Sequence, residues 1–224
     1  MKNNAELQLD VQNAIKWEPL LHAAEIGVTA KDGVVTLSGV VDSYVKKTEA
    51  ECAAKTVIGV KAIVENIEVI FPNSWNKSDV DVAKEVITAL TVNYSVPNEK
   101  VSVKVEKGWV TLSGELPWNY QRESAYESIR HLTGVKGVTN SIKIKSESRD
   151  AIEKKEVEKA IARSWSIDDS DINVSVSGTT VTLRGTVNSW YQRDEAARIA
   201  WNTPGIWHVD NELIVDYYFS LVEQ

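Results

Sequence analysis

Apolar side chains alternate with polar ones along 101–106, where Val101, Val103 and Val105 are interleaved with Ser102, Lys104 and Glu106. That period of two predicts a half-buried strand. Lys107-Gly108 supplies a turn, and Trp109-Val110-Thr111-Leu112-Ser113-Gly114 reads as the returning strand. Upstream, Val82, Val86, Ala89 and Leu90 recur at helical spacing behind Ser78 and Asp79. The side-chain oxygens of those two residues suit the unpaired N–H groups of a helix start. Downstream, residues 119–133 form a second amphipathic segment, and Gly134 suits a left-handed C-terminal position. Val138 and the alternating Ser141-Ile142-Lys143-Ile144 give a last strand. The predicted order is helix, strand, strand, helix, strand.

The same pattern occurs three times. Val-Thr-Leu-Ser-Gly at 35–39 returns at 110–114, and as Val-Thr-Leu-Arg-Gly at 181–185. Val101 and Val103 correspond to Ile26 and Val28, then to Ile172 and Val174. Ile142 and Ile144 correspond to Ile67 and Val69, then to Leu213 and Val215. Such exchanges keep apolar volume on one face, as a core requires. The hairpin turns of the outer copies, Asp32-Gly33 and Ser177-Gly178-Thr179, each keep a glycine. A repeat of this length is a small domain and not a solenoid unit. The fold class is therefore α+β, with domains expected at 1–72, 76–146 and 150–220. The segments 71–77 and 145–150 are short linkers, so the domains should touch.

The repeat is also an internal control: a residue that the fold needs should appear three times, whereas a specialised one need appear only once. Cys52 is replaced by Glu127 and Arg198 in the other copies, and a single cysteine excludes intramolecular disulfides. His22, His131 and His208 occupy three different repeat positions, and no His or Cys pair has metal-ligand spacing. The serines before Gly39 and Gly114 become Arg184 in the third copy, and no Gly-x-Ser-x-Gly elbow is present. Asp168-Asp169-Ser170-Asp171 lacks the spacing of a calcium loop, and no glycine-rich phosphate loop occurs. The chain is not expected to be an enzyme, and no cofactor or metal is expected.

Net charge is −7, which argues against nucleic acid as a partner. The charge is uneven: seven basic against ten acidic residues in 1–72, ten against eight in 73–146, and eight against fourteen in 147–224. Only the middle copy has a basic balance. No stretch reaches the ~20 apolar residues that cross a bilayer. The first ten residues, Met-Lys-Asn-Asn-Ala-Glu-Leu-Gln-Leu-Asp, lack the apolar run of a secretory signal. A full-length chain is thus expected in the cytoplasm, and one trimmed of a signal in the periplasm.

Candidate function lies just after the repeated glycine, where a strand hands over to the second helix. The middle copy reads Pro117-Trp118-Asn119-Tyr120-Gln121-Arg122, and the third Asn188-Ser189-Trp190-Tyr191-Gln192-Arg193. The first reads Asp42-Ser43-Tyr44-Val45-Lys46-Lys47. Aromatics followed by a basic residue at a helix N-terminus suit an anionic head group. Free N–H groups and the helix dipole attract the charge, Arg can fork onto phosphate, and Trp and Tyr favour a polar–apolar boundary. The candidate ligand- or membrane-binding residues are Trp118, Tyr120, Arg122, Trp190, Tyr191 and Arg193. Trp109 joins them because Val34 and Thr180 replace it in the other copies. A second reading is open: the same aromatics pack between domains. Trp201, Trp207, Tyr217, Tyr218 and Phe219 make the C-terminal end aromatic, with burial between domains as their expected use.

Val-x-Leu-x-Gly, the Gly-hydrophobic pairs at 59, 134 and 205, and the closing Asn-x-Ile strand with its Asn140 and Asn211 together resemble the BON domain family in three copies. The first copy departs from it, with Glu65 at that asparagine position and Asn66 one place later. The resemblance implies a three-stranded mixed sheet with two helices on one face, and non-enzymatic roles. These are phospholipid-membrane binding, envelope support or osmotic-stress response. Expected partners are anionic phospholipid, with another protein or a cation such as potassium as alternatives.

Overall fold

The computed structural model describes residues 3–21, 26–72, 77–145, 154–163, 171–203 and 205–216. Each copy builds one unit in the predicted order. The first runs α1 (Asn4–Trp17), β1 (Ile26–Lys31), β2 (Val34–Val41), α2 (Tyr44–Lys55) and β3 (Ala62–Val69). The second runs α3 (Asp79–Val92), β4 (Val101–Glu106), β5 (Trp109–Leu116), α4 (Asn119–Arg130) and β6 (Gly137–Ile144). The third runs α5 (Lys154–Ala162), β7 (Ile172–Ser177), β8 (Thr180–Val187), α6 (Trp190–Trp201) and β9 (His208–Val215).

In every unit the middle strand pairs antiparallel with the strand before it and parallel with the strand after it. The hairpin needs only a tight turn, whereas the parallel return needs the crossover helix. Lys107 and Gly108 both take positive φ in that turn, at 52° and 79°. Asp79 does more than open α3: its carboxylate accepts from the Lys107 and Gly108 N–H groups at 2.7 and 2.9 Å. Asn4, at the same repeat position, accepts from Asp32 N–H at 2.9 Å. Ser78 is the N-cap, its hydroxyl accepting from Asp81 N–H.

The repeated glycine lies inside the middle strand, opposite the first residue of its partner, and not at a corner. Gly114 and Gly185 take φ of 141° and 127°, and a Cβ there would collide with the Lys100 and Asp171 carbonyl oxygens. Close backbone approach, not turning, fixes this residue.

Helices cover one face of each sheet and three separate cores result. In the middle unit Val82, Val86, Leu90, Val110, Leu112, Ile129 and Ile142 are buried together. The opposite sheet face is open: Ser102, Lys104, Glu106, Trp109, Ser113 and Lys143 are exposed.

The units meet through their second helices, and the contacts run round a closed cycle. The last residue of each second helix (Lys55, Arg130, Trp201, equivalent by repeat) reaches another unit. Lys55 Nζ lies 3.1 Å from Asp194 on α6. Arg130 donates to Thr48 Oγ1 at 3.0 Å and pairs with Glu49, both on α2. The Trp201 ring receives the Arg122 guanidinium of α4 at 4.5 Å. Tyr44 and Trp201 both pack against the middle core.

Candidate functional site

The aromatic–basic corner exists in each unit, because strand and helix must change direction just beyond the sheet. Ser189 caps α6, its hydroxyl accepting from Gln192 N–H at 3.2 Å. In return Gln192 Oε1 accepts from Asn188 N–H at 2.8 Å. In the middle unit the residue matching Asn188 is Pro117, which has no N–H. Gln121 Oε1 is consequently buried without a partner. Trp118 takes the N-cap position of α4 with no side-chain capping bond. In the first unit the equivalent residues are joined in the opposite sense, with the Lys46 ammonium donating to the Asp42 carboxylate at 3.0 Å.

The aromatics divide by position. Trp118 and Trp190 are half-buried. Trp190 packs against the third core, and its Nε1 is buried without a partner. Asn119 occupies the place of Tyr44 and Trp190 and is buried, donating to Glu123 at 2.8 Å. Tyr120 and Tyr191, one residue further on, are exposed. The α4 and α6 corners do not merge into one site. The link from α4 to α6 runs from Arg122 to Trp201, at the opposite end of α6 from Trp190.

The basic residues of all three corners have intramolecular work. Arg193 donates from Nε to the Leu213 carbonyl at 3.0 Å and from a terminal nitrogen to the Asn211 carbonyl at 2.9 Å, with Trp190 beneath it at 5.4 Å. Lys47, at the same repeat position, donates to the Ile67 carbonyl at 2.9 Å. Both tie the second helix to the closing strand. Arg122 leaves that task and stacks on Trp201, and burial lowers its pKa, partly opposed by the charge of Glu123.

The closing strand answers with its asparagine. Asn140 and Asn211 donate to the Arg122 and Arg193 carbonyls at 2.9 Å. Their Oδ1 atoms accept from the N–H groups of Ile142 and Leu213, each at 3.3 Å. Glu65 cannot copy this. One of its carboxylate oxygens is buried without a partner, and burial holds its pKa above the ordinary range despite Lys47 at 3.6 Å.

Trp109 stands apart from the corners, on the open face of the middle sheet and 46% exposed. Its Nε1 donates to Thr139 Oγ1 at 2.8 Å. Its ring lies over Gly137, where a Cβ would collide with it.

Sequence reading passed over Lys55, Arg130 and Glu49, which the structure brings into the seams. The available signal was that 55, 130 and 201 are equivalent helix ends carrying long side chains. Trp201 does lie between units, as expected of the aromatic C-terminal end, whereas Trp207 is exposed. His131 is exposed, and His208 sets its ring edge-on to Trp201. His22, Asp168, Asp169, Ser170, Tyr217, Tyr218 and Phe219 lie outside the described residues. Among those described, no helix is long and apolar enough to cross a membrane.

The family model described as BON domain matches residues 3–70, 78–146 and 149–217. The chain is 30% identical over 147 residues to osmotically-inducible protein Y of Escherichia coli (strain K12), covering 64% of this chain and 73% of that protein. Among solved structures it is similar to the C-terminal domain of CdsD, a structural protein of the type III secretion system of Chlamydia trachomatis. That match has 19% identity, a TM-score of 0.25, and covers 96% of this chain and 100% of the other. A second CdsD structure matches at 18% identity and a TM-score of 0.24, covering 93% and 91%.

Proposed function

Because the chain belongs to the BON domain family in all three of its units, we propose that it is a non-enzymatic binding protein of the osmotic-stress response. It is a scaffold whose units grip one another through their second helices and receive protein partners on the open sheets. Likeness to osmotically-inducible protein Y supports the stress setting. The observation that carries the scaffold reading is the employment of Lys47, Arg122 and Arg193 in backbone ties and the Trp201 stack. A cation already satisfied inside the fold is a poor ligand for a lipid phosphate, since binding must first break that contact. Peripheral association with anionic phospholipid is the second reading, favoured by the exposure of Tyr120 and Tyr191 at two helix starts.

Photo-crosslinking in cells after an osmotic upshift tests the first reading. A crosslinker at Ser113, on an open sheet, should give discrete protein adducts, and one at Tyr120 should not. Co-sedimentation with phosphatidylglycerol vesicles tests the second. Pelleting that survives moderate salt and is lost in Tyr120→Ala would overturn the scaffold in favour of the membrane.

A further inference from the structure

Three residues that build the Trp109 platform change together between copies. Trp109 pairs across the sheet with Gly137, and Thr139 lies two residues on. The matching pairs are Val34 with Ala62 and Thr180 with His208, and the residues matching Thr139 are Val64 and Asp210. The other two units fold without an indole here, so stability of the fold does not call for it. What the trio achieves is presentation. Gly137 lets the ring lie against the strand, the bond to Thr139 fixes its rotation, and the residue is left 46% exposed. An exposed Trp so fixed has already lost its rotamer freedom, and this lowers the cost of binding.

The surroundings of the ring are polar and mixed in sign. A shallow trough of about 290 Å³ is lined by Lys104, Glu106, Lys107, Trp109 and Thr111. Lys104 Nζ and a Glu106 carboxylate oxygen stand 3.0 Å apart, so a strong donor and a strong acceptor share one rim. Beyond it Ser113, Thr139 and Ser141 are exposed.

We propose that Trp109 is the stacking platform of a glycan-binding site that takes a pyranose ring from an oligosaccharide chain. The C–H face of a pyranose carries slight positive charge and lies on the electron-rich face of an indole. Its vicinal hydroxyls each donate and accept, which suits the Lys104–Glu106 pair and the Thr111 hydroxyl. A nucleic-acid strand fits less well, because Glu106 would face its phosphates. A bilayer fits less well too, because a single apolar side chain stands among serines, threonines and charges. The site shares the middle unit's open sheet face with the protein contacts of the scaffold reading, but sugar titration and crosslinking read the two out independently, so either can fail alone.

The test titrates the full chain, carrying ¹⁵N-labelled tryptophan, with cellohexaose, chitohexaose and maltohexaose while the indole N–H signals are followed. The Trp109 signal should shift saturably with at least one of them. Trp109→Ala should weaken binding about tenfold or more, and Trp109→Phe about threefold. Gly137→Ala should weaken it by tilting the ring, whereas Tyr120→Ala should leave it unchanged. Circular dichroism confirms that each variant is folded, and Trp109→Ala carries the test should Gly137→Ala fail to fold. Absence of a saturable shift with all three sugars up to about 10 mM overturns the proposal. So does undiminished affinity in Trp109→Ala, or a Trp109 response confined to a thymidine oligonucleotide or to phosphatidylglycerol vesicles.

Discussion

The seam between the second and third units and the seams made by the first unit use the same helix positions with different chemistry. Trp201 meets Arg122 through a ring face, whereas Lys55 and Arg130 meet Asp194 and Glu49 through ion pairs. A ring contact removes apolar area from water and is little affected by salt, whereas a part-exposed ion pair is screened by it. One triplicated fold has thus acquired a ring clasp, a largely buried ion pair backed by the packing of Tyr44, and a part-exposed ion pair. The difference makes the contact between the first and third units the salt-sensitive one.

The largest expected effect comes from breaking the ring clasp. Trp201→Ala should cost about 3 kcal/mol, since it opens a space against the second and third cores and strands a half-buried guanidinium. The urea midpoint should fall accordingly, and an unchanged midpoint would show that the clasp holds nothing. Arg130→Ala should cost about 1–2 kcal/mol, because it deletes hydrogen bonds to Glu49 and Thr48 from a largely buried position. Its effect should shrink in Glu49→Ala, as a double-mutant cycle would show.

A comparison of strand ties gives a stabilising prediction. Glu65→Asn should gain about 1 kcal/mol, by supplying the amide that Asn140 and Asn211 use and by removing an unpaired buried oxygen. The pH dependence follows from the raised pKa of Glu65. A carboxyl whose folded pKa exceeds the unfolded one binds its proton more tightly in the native state, so the parent chain loses stability as pH rises through that window. The advantage of Glu65→Asn should therefore be full at neutral pH and shrink below the ordinary glutamate range. Paired urea titrations at both pH values check it.

The smallest effect is at Lys55. Its pair with Asp194 is part-exposed, so Lys55→Ala should cost under about 1 kcal/mol. Raising salt should imitate it. Spin labels on the first and third units should move apart as ionic strength rises, while labels on the second and third hold their distance. Equal movement in both pairs would erase the distinction between the seams.

The alternation of Val101, Val103 and Val105 and the helical spacing of Val82, Val86 and Leu90 state which faces are buried, and the structure buries those faces. Such patterns are legible because burial within a unit follows local periodicity. The corner was legible as a place and illegible as a role. Lys47, Arg122 and Arg193 share a repeat position, but whether each ties a strand or stacks on a ring depends on what the neighbouring unit offers. The glycine at 114 was legible as a requirement, yet its reason, the Lys100 carbonyl across the hairpin, is a contact in space.

The sequence alone determined three α+β units, their strand order and their cores, because period, turn residues and repetition are local properties of the chain. Tertiary structure decided the cycle of seams, the retirement of the corner cations into internal contacts, and the isolation of Trp109 on an open sheet. Those outcomes depend on the direction in which a side chain leaves its helix or strand and on the surface it then meets, and no linear spacing encodes that.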